Sequence, residues 1–401
     1  MTEQTAPAEE TIPFRRECPF SAPSSYMKML ADDPVSKVRM PNGDHIWAVT
    51  RYEDVRAVLT DKRFSSDNTQ PGYPVFTVER PAEQPTRTMI NLDGEEHAES
   101  RRDVMAEYTV KRVKDLRPQI QQIVDERIDA LLAGPRPVDL VQEFAIQIPA
   151  LVMSKQLGVP MDETDFFLSQ AAPLVDVKTS ETDRAQHMGQ LAGYLMNLIA
   201  QKEENPGDDL LSRQIAKGRE NGTYNQEALV YMAFLLLVAG HDTSTSMISL
   251  GTLALLQHPE ELAKVTADPA KAPAMVEELL RMFTVGELAG ARVATEDVEI
   301  GGKVIRAGEG LLALSNAGNH DPEVYPEPEK FDIDRPARSH LAFGHGAHQC
   351  IGQSLARLEL EIVYTTLFSR IPGLKLAVPF DELKFKDYSP GYGLEELPVT
   401  W

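Results

Sequence analysis

The sequence predicts an α+β protein, mainly α, in which a helix-rich middle is flanked by small antiparallel β-sheets. Three observations carry that expectation. Helical periodicity dominates residues 95–256. Short alternating apolar runs fall around Trp47, across residues 293–305 and after Leu374. Helical and strand patterns are segregated along the chain rather than alternating, so no parallel sheet is expected.

Each element follows from local pattern. Residues 1–11 are polar and acidic and read as a disordered tail. Residues 12–401 are expected to form a single domain, with β-rich parts at about 35–60, 291–310 and 374–401 and helix-rich parts at about 95–290 and 353–370. Residues 45–50 alternate around Ile46, Trp47 and Val49 as a strand, and residues 52–59 follow as a short helix. Residues 64–92 are rich in Pro, Gly and Thr without a period, and loops of that length in compact proteins are commonly functional. Helix breaks are expected near Pro118, Gly134 to Pro137, Pro160 and Pro206. A long helix then starts at the N-capping Asn225 and stops at Gln257, before Pro259. Helix resumes over 274–283, strands flank the turn at Gly301-Gly302, and residues 322–336 are irregular. Residues 353–368 are helical, and the tail from Leu374 reads as short strands.

Bulk composition narrows the function. The chain has 401 residues, 42% of them hydrophobic, enough to bury a sizeable core. Forty Lys and Arg against 61 Asp and Glu leave a net charge of −21. Nucleic acid and anionic membranes attract basic surfaces, so neither is an expected partner. The two cysteines, Cys18 and Cys350, cannot build a disulfide scaffold or a four-cysteine zinc site. The N-terminus lacks a basic start followed by an apolar core, and the longest apolar run, residues 228–239, is shorter than the about 20 residues a bilayer requires. A cytoplasmic monomer is expected.

Four constellations carry chemistry. In Phe343-Gly344-His345-Gly346-Ala347-His348-Gln349-Cys350-Ile351-Gly352, a single Cys sits in a glycine-rich loop that opens into a helix. Helix N-termini lower a thiol pKa, and loop N–H groups tune a metal held by sulfur. Gly346 and Gly352 allow close approach of the backbone to a large flat ligand. Glu278 and Arg281, three apart, share a helix face and can pair. Ala239-Gly240-His241-Asp242-Thr243 interrupts an apolar helix. It reads either as a kink, with Thr243 bonding back to a carbonyl, or as polar groups with chemical work. His97 and Arg101, four apart, lie on one helix face.

Together these motifs resemble the cytochrome P-450 family. Residues 343–352 match its haem-binding signature, F-G-x-G-x-H-x-C-x-G, at every fixed position, and the likeness runs from the Trp47 strand to Trp401. The resemblance implies a helix-rich body around haem b, with Cys350 as the axial thiolate ligand. Phe343, Gly344, Gly346, Gly352, Ala239 and Gly240 would lie against the cofactor, and His97, Arg101, Arg292 and His348 would bind its carboxylates. Glu278 and Arg281 would join Arg335 in a buried clamp behind the haem. Thr243 would hydrogen-bond the oxygen being reduced, and Asp242 would relay protons from water. Gly94-Glu95 stands where relatives often have two prolines.

Within that family the chain is most similar to the soluble actinomycete enzymes served by ferredoxins, which include statin-precursor, vitamin D and macrolide hydroxylases. The implied reaction inserts one oxygen atom from O2 into a C–H bond or double bond of a hydrophobic small molecule. A secondary metabolite or xenobiotic is the expected substrate. Electrons would come from NAD(P)H through ferredoxin reductase and an acidic ferredoxin. The basic cluster Arg101, Arg102, Lys111, Arg112 and Lys114 is the expected docking site, with Arg101 turned inward. Leu235, Val238, Val285, Leu288, Ala289 and Tyr392 are expected to line the substrate pocket beside Ala239. Two alternatives remain at this point: a nitric oxide reductase of the same haem fold, whose fungal members lack the acid before the Thr, and a haem gas sensor without turnover.

Overall fold

The computed structural model describes residues 11, 12, 14–76, 88–175, 179–387 and 391–401. Residues 77–87, part of the loop at 64–92, and residues 176–178 lie outside the described residues. So do residues 1–10 of the expected tail and residues 388–390. Thr11, assigned to that tail, pairs in a bridge with Arg39.

Five strands form the main sheet: β1 (Val35–Arg39), β2 (His45–Val49), β3 (Phe64–Ser65), β4 (Ala291–Ala294) and β5 (Gly310–Ala313). Their order is β1-β2-β5-β4-β3. Three ladders are antiparallel, beginning with Val35 opposite Val49, but β2 and β5 run parallel with Trp47 opposite Leu311. The sheet is therefore mixed, which corrects the expectation of wholly antiparallel sheets. The chain between β2 and β5, which carries the helical body, acts as a long crossover, and such a connection can return the chain in the same direction. Strand β5 is buried throughout. A strand covered on both faces shows a continuous apolar run instead of alternation, so its pattern stopped short of residue 313 in the sequence. The hairpin Val298–Ile300 and Lys303–Ile305 turns at Gly301 and Gly302, with φ of +55° and +77°. A small sheet joins Val138–Asp139, Pro398–Thr400 and Lys375–Leu376.

The helical body contains α1 (Tyr52–Thr60), α2 (Gly94–Met105), α3 (Arg117–Ala133), α4 (Gln147–Leu157), α5 (Thr164–Val175), α6 (Glu181–Glu204), α7 (Gln226–Gln257), α8 (Ala272–Phe283) and α9 (Gln353–Arg370). At the start of α7 the Asn225 side chain accepts the Ala228 N–H at 3.1 Å, satisfying an otherwise orphaned donor. Every residue from Ser244 to Leu255 is buried, the mark of a helix enclosed on all sides. α7 packs against α4, α6 and α9. Among the described residues it is the one helix long and apolar enough by composition to cross a membrane. Its burial within the bundle accounts for that composition. α8 and α9 pack against each other and set the Cys350 loop at the foot of α7.

Candidate functional site

A cavity of about 370 Å³ opens between α7 and the Cys350 loop. The Cys350 N–H donates to the Phe343 carbonyl at 2.8 Å and closes the loop, while Gly344 and Gly346 adopt φ of +67° and +73°. A Cβ on Gly346 would sit 2.5 Å from the Leu59 carbonyl oxygen of α1, so the loop can pass that helix only with glycine there. The Gly352 and Gln353 N–H groups hydrogen-bond the Cys350 sulfur. Arg357 covers the Phe343 ring at 4.5 Å. In the protein alone burial pushes the Cys350 thiol up, outweighing those N–H groups and Arg101. The expectation of a lowered thiol pKa is thus corrected: the loop amides favour the thiolate, but desolvation is the larger effect. A bound metal cation deprotonates a coordinating thiol outright.

Besides His345 of the Cys loop, four basic side chains line the cavity: His97, Arg101, Arg292 and His348. The His97 and His348 rings stack with centroids 3.9 Å apart. Arg292 donates to the Ala291 carbonyl at 2.7 Å, and Arg101 to the Gln349 carbonyl. Burial lowers all four pKa values; that of His348 falls to about 3, with Arg292 and His97 adding repulsion. Asp93 is the nearest carboxylate, 3.9 Å from His348 Nε2 and held by Ser65 and Ser66. Cationic donors gathered at low dielectric with so little opposing charge suit a ligand bearing carboxylates. With an apolar cavity and a sulfur whose hydrogen bonds come from backbone amides, these residues fit a haem.

On the opposite wall Ala239, Gly240, Thr243 and Ser244 face the cavity. The Thr243 hydroxyl donates to the Ala239 carbonyl at 2.8 Å, so the back-bond and the exposed polar group coexist. Asp242 points away: its carboxylate pairs with Lys386 at 3.4 Å and stands where a Cβ on Gly391 would come within 2.6 Å. His241 is buried and shares a hydrogen bond with the Ile146 carbonyl at 3.0 Å, at the end of a π-helical turn over Val141–Ala145. Burial lowers its pKa to about 4.

Behind the loop Glu278 and Arg281 are fully buried and joined at 2.8 and 2.9 Å. Arg335 Nε reaches Glu278 at 3.1 Å. The three residues singled out in the sequence meet at one carboxylate.

The substrate wall divides the expectations. Leu235, Val285 and Ala289 line the cavity. Val238, Leu288 and Tyr392 do not. The α7 residues that face inward are 235, 236, 239, 240, 243, 244 and 247, a stripe of helical period from which Val238 is rotated by one position. Leu288 packs against a core cluster on the main sheet. Tyr392 accepts the Arg16 guanidinium over its ring at 3.8 Å and donates to the Pro19 carbonyl, tying down the N-terminal segment. Sequence reading missed Met89, Ile90, Pro149, Val152 and Met153. No local pattern distinguishes those apolar residues from core.

The basic cluster also divides. Arg112 pairs at 2.8 Å with Glu107, which Arg213 also holds. Arg102 is exposed and 3.4 Å from Glu95, and Lys111 and Lys114 are exposed. Arg101 turns inward as expected.

The chain matches the Cytochrome P450 family model over residues 272–371, which span the Glu278–Arg281 pair and the Cys350 loop. It is 41% identical over 406 residues to the vitamin D3 dihydroxylase of Streptomyces griseolus, covering 100% of this chain and 98% of that one. It is 43% identical over 404 residues to the pentalenic acid synthase of Streptomyces avermitilis, covering 100% and 99%. The crystal structure of cytochrome P450 MoxA from Nonomuraea recticatena superposes with a TM-score of 0.94 at 49% identity, covering 98% of each chain.

Proposed function

The chain belongs to the cytochrome P450 family and is a monooxygenase; from that premise we propose that it oxygenates a neutral, hydrophobic small molecule held between α7 and the haem. The observation that carries this reading is the cavity itself. Its far wall, from Met89 and Ile90 to Leu235, Met153, Val285 and Ala289, has no charged side chain among the described residues. An ionic substrate would be buried there without a partner, at a large desolvation cost. Relatives named for vitamin D3 and pentalenic acid support a substrate from secondary metabolism or a xenobiotic.

Cys350 would hold the haem iron, and His97, Arg101, Arg292 and His348 would bind the haem carboxylates. When bound, the haem supplies dioxygen activation, with the thiolate favouring O–O cleavage. Thr243 Oγ1 orients the reacting oxygen and passes it a proton, the hydroxyl hydrogen swinging from the Ala239 carbonyl into the cavity. Asp242, held by Lys386 outside the cavity, connects that hydroxyl to solvent protons. Glu278, Arg281 and Arg335 keep the loop rigid.

Thr243→Ala tests the reading. Product formation is expected to fall by about 10²-fold. NADH oxidation, measured with a ferredoxin and its reductase, continues and releases hydrogen peroxide. Unchanged product per NADH would remove Thr243 from the mechanism. Nitrous oxide formed from NADH and nitric oxide alone would replace the monooxygenase reading.

Electrons enter from an acidic ferredoxin that docks beside the Cys350 loop on Arg102, Lys111 and Lys114. Arg112 serves the fold instead, through Glu107. The double reversal Arg102→Glu/Lys111→Glu is expected to slow reduction about tenfold at low ionic strength, with the difference vanishing in high salt. A rate insensitive to both charge and salt would sink the docking assignment.

A further inference from the structure

The cavity wall that follows α8 is held from outside by a residue near the start of the chain. Val285, Gly286, Ala289 and Gly290 line the cavity, and Glu287 opens the short 3-10 turn Glu287–Gly290 among them. The chain enters this wall in a strained conformation, with Thr284 at φ +43°, which a β-branched residue rarely adopts. The bonds that hold the wall through its backbone are long. The Ala289 N–H reaches the Gly286 carbonyl at 3.4 Å, and the Tyr392 N–H reaches the Val285 carbonyl at 3.3 Å. An isolated bridge joins Gly286 to Gly391. A Cβ added at Gly286 would meet no atom within 4 Å, so close packing does not fix that position.

A shorter bond comes from Arg16. Its Nη2 donates to Glu287 Oε1 at 2.8 Å and to the carbonyl of Phe283, the last residue of α8, at 3.0 Å. Its guanidinium lies over the Tyr392 ring at 3.8 Å, and the Tyr26 hydroxyl donates to Glu287 Oε2 at 3.4 Å. Arg16 and Glu287 are both buried, and none of these four residues lines the cavity. The pair is not arranged for stability. Arg16 Nε and Nη1 have no hydrogen-bond partner among the described residues. A buried ion pair with unsatisfied donors contributes little net stability, because desolvation offsets the attraction. It does supply direction. A planar guanidinium fixed at once by an aromatic face, a carboxylate and the end of α8 leaves Glu287 one position.

We infer that Arg16 is a positioning residue for substrate selection: through Glu287 it sets how far Val285 and Ala289 reach into the cavity. It touches neither the substrate nor the haem. The same guanidinium ties this wall to the chain around Tyr392, whose hydroxyl donates to the Pro19 carbonyl at 3.3 Å and whose N–H meets Val285. Residues 16–19 therefore bind both segments behind that side of the cavity. Lining residues held by a supporting layer in this way keep a site within the tolerance that recognition needs. The inference rests on the reading of the cavity as the substrate site.

Two variants separate position from stability. Arg16→Met leaves Glu287 buried without its cation. Arg16→Met/Glu287→Gln leaves no buried charge, keeps an acceptor for Tyr26, and leaves the Phe283 carbonyl its bond from Asn316 Nδ2 at 3.2 Å. Two ligands of the ferric haem probe the wall: imidazole, small enough to do without it, and 4-phenylimidazole, whose second ring it must accommodate. Their affinities are read from the shift in haem absorption. In both variants 4-phenylimidazole is expected to weaken about tenfold relative to imidazole. Amide hydrogen exchange at residues 285–290, measured without either ligand, should speed up in both. The denaturant midpoint should fall in Arg16→Met and return toward that of the wild type in the double variant. Arg16→Lys, which keeps a bond to Glu287, should restore part of the ligand preference. A wild-type affinity ratio in the double variant overturns the proposal, whether or not its midpoint recovers, because the pair then serves stability alone. Unchanged exchange at 285–290 overturns it too. If neither ligand shifts the haem spectrum of the wild type, the reading of the cavity itself fails instead.

Discussion

Cys350→Ala is expected to abolish the red-shifted carbon monoxide band of a thiolate-ligated reduced haem and to reduce substrate oxidation to background. Cys18, the other thiol, is exposed near the N-terminal segment and does not line the cavity, so it cannot take over. The neighbouring His345 and His348 do line it, which makes Cys350→His the informative companion. That variant can still hold iron through imidazole, a common metal ligand. It lacks the thiolate, whose electron donation favours O–O cleavage. Haem content should then partly survive in Cys350→His while oxygenation does not, separating binding from chemistry. Cys18→Ser should keep both. Spectra of the reduced, carbon monoxide-treated variants decide the matter, and a persisting thiolate band in Cys350→Ala would refute the ligand assignment.

The Cys loop was readable in advance because its requirements are local. Glycines at positive φ, a helix start and one sulfur all fall within ten consecutive residues. Glu278 and Arg281 were readable for a similar reason, since three residues bring side chains together on any helix. The effect of burial on the thiol was not readable, because it depends on packing from α7 and α2, far away in sequence. The Asp242–Lys386 pair joins residues 144 positions apart, and only the tertiary fold brings them into contact. Glu359 shows the limit most clearly. It stands two residues from Glu361 in Leu358-Glu359-Leu360-Glu361, and local composition treats the two acids alike. A two-residue step rotates a helix by about 200°, so one acid reaches Arg117 at the surface and the other is enclosed. Which of them is enclosed depends on where α7 lies.

Among the variants that act on folding, Arg281→Ala should have the largest effect. The guanidinium is fully buried and makes four hydrogen bonds: two to Glu278, one to the Asn319 carbonyl and one to the Pro328 carbonyl, the last two at 2.9 Å. Its removal leaves Glu278 buried with Arg335 as its one charged partner and strands two carbonyls. Breaking a buried pair from one side costs about 3–5 kcal/mol. Total stabilities are commonly about 5–15 kcal/mol, so much of the variant should fail to accumulate as folded protein. Arg281→Lys should recover only part of the loss, because an ammonium cannot present the planar fork that meets Glu278 and both carbonyls at once. Denaturant midpoints measure the effect, and a midpoint equal to that of the wild type would show that the clamp contributes nothing. Arg281 does not line the cavity. The molecules that do fold should therefore carry haem with the wild-type thiolate spectrum, and the defect should appear as yield and stability with normal turnover per haem. That separation distinguishes a residue that holds the site from one that works in it.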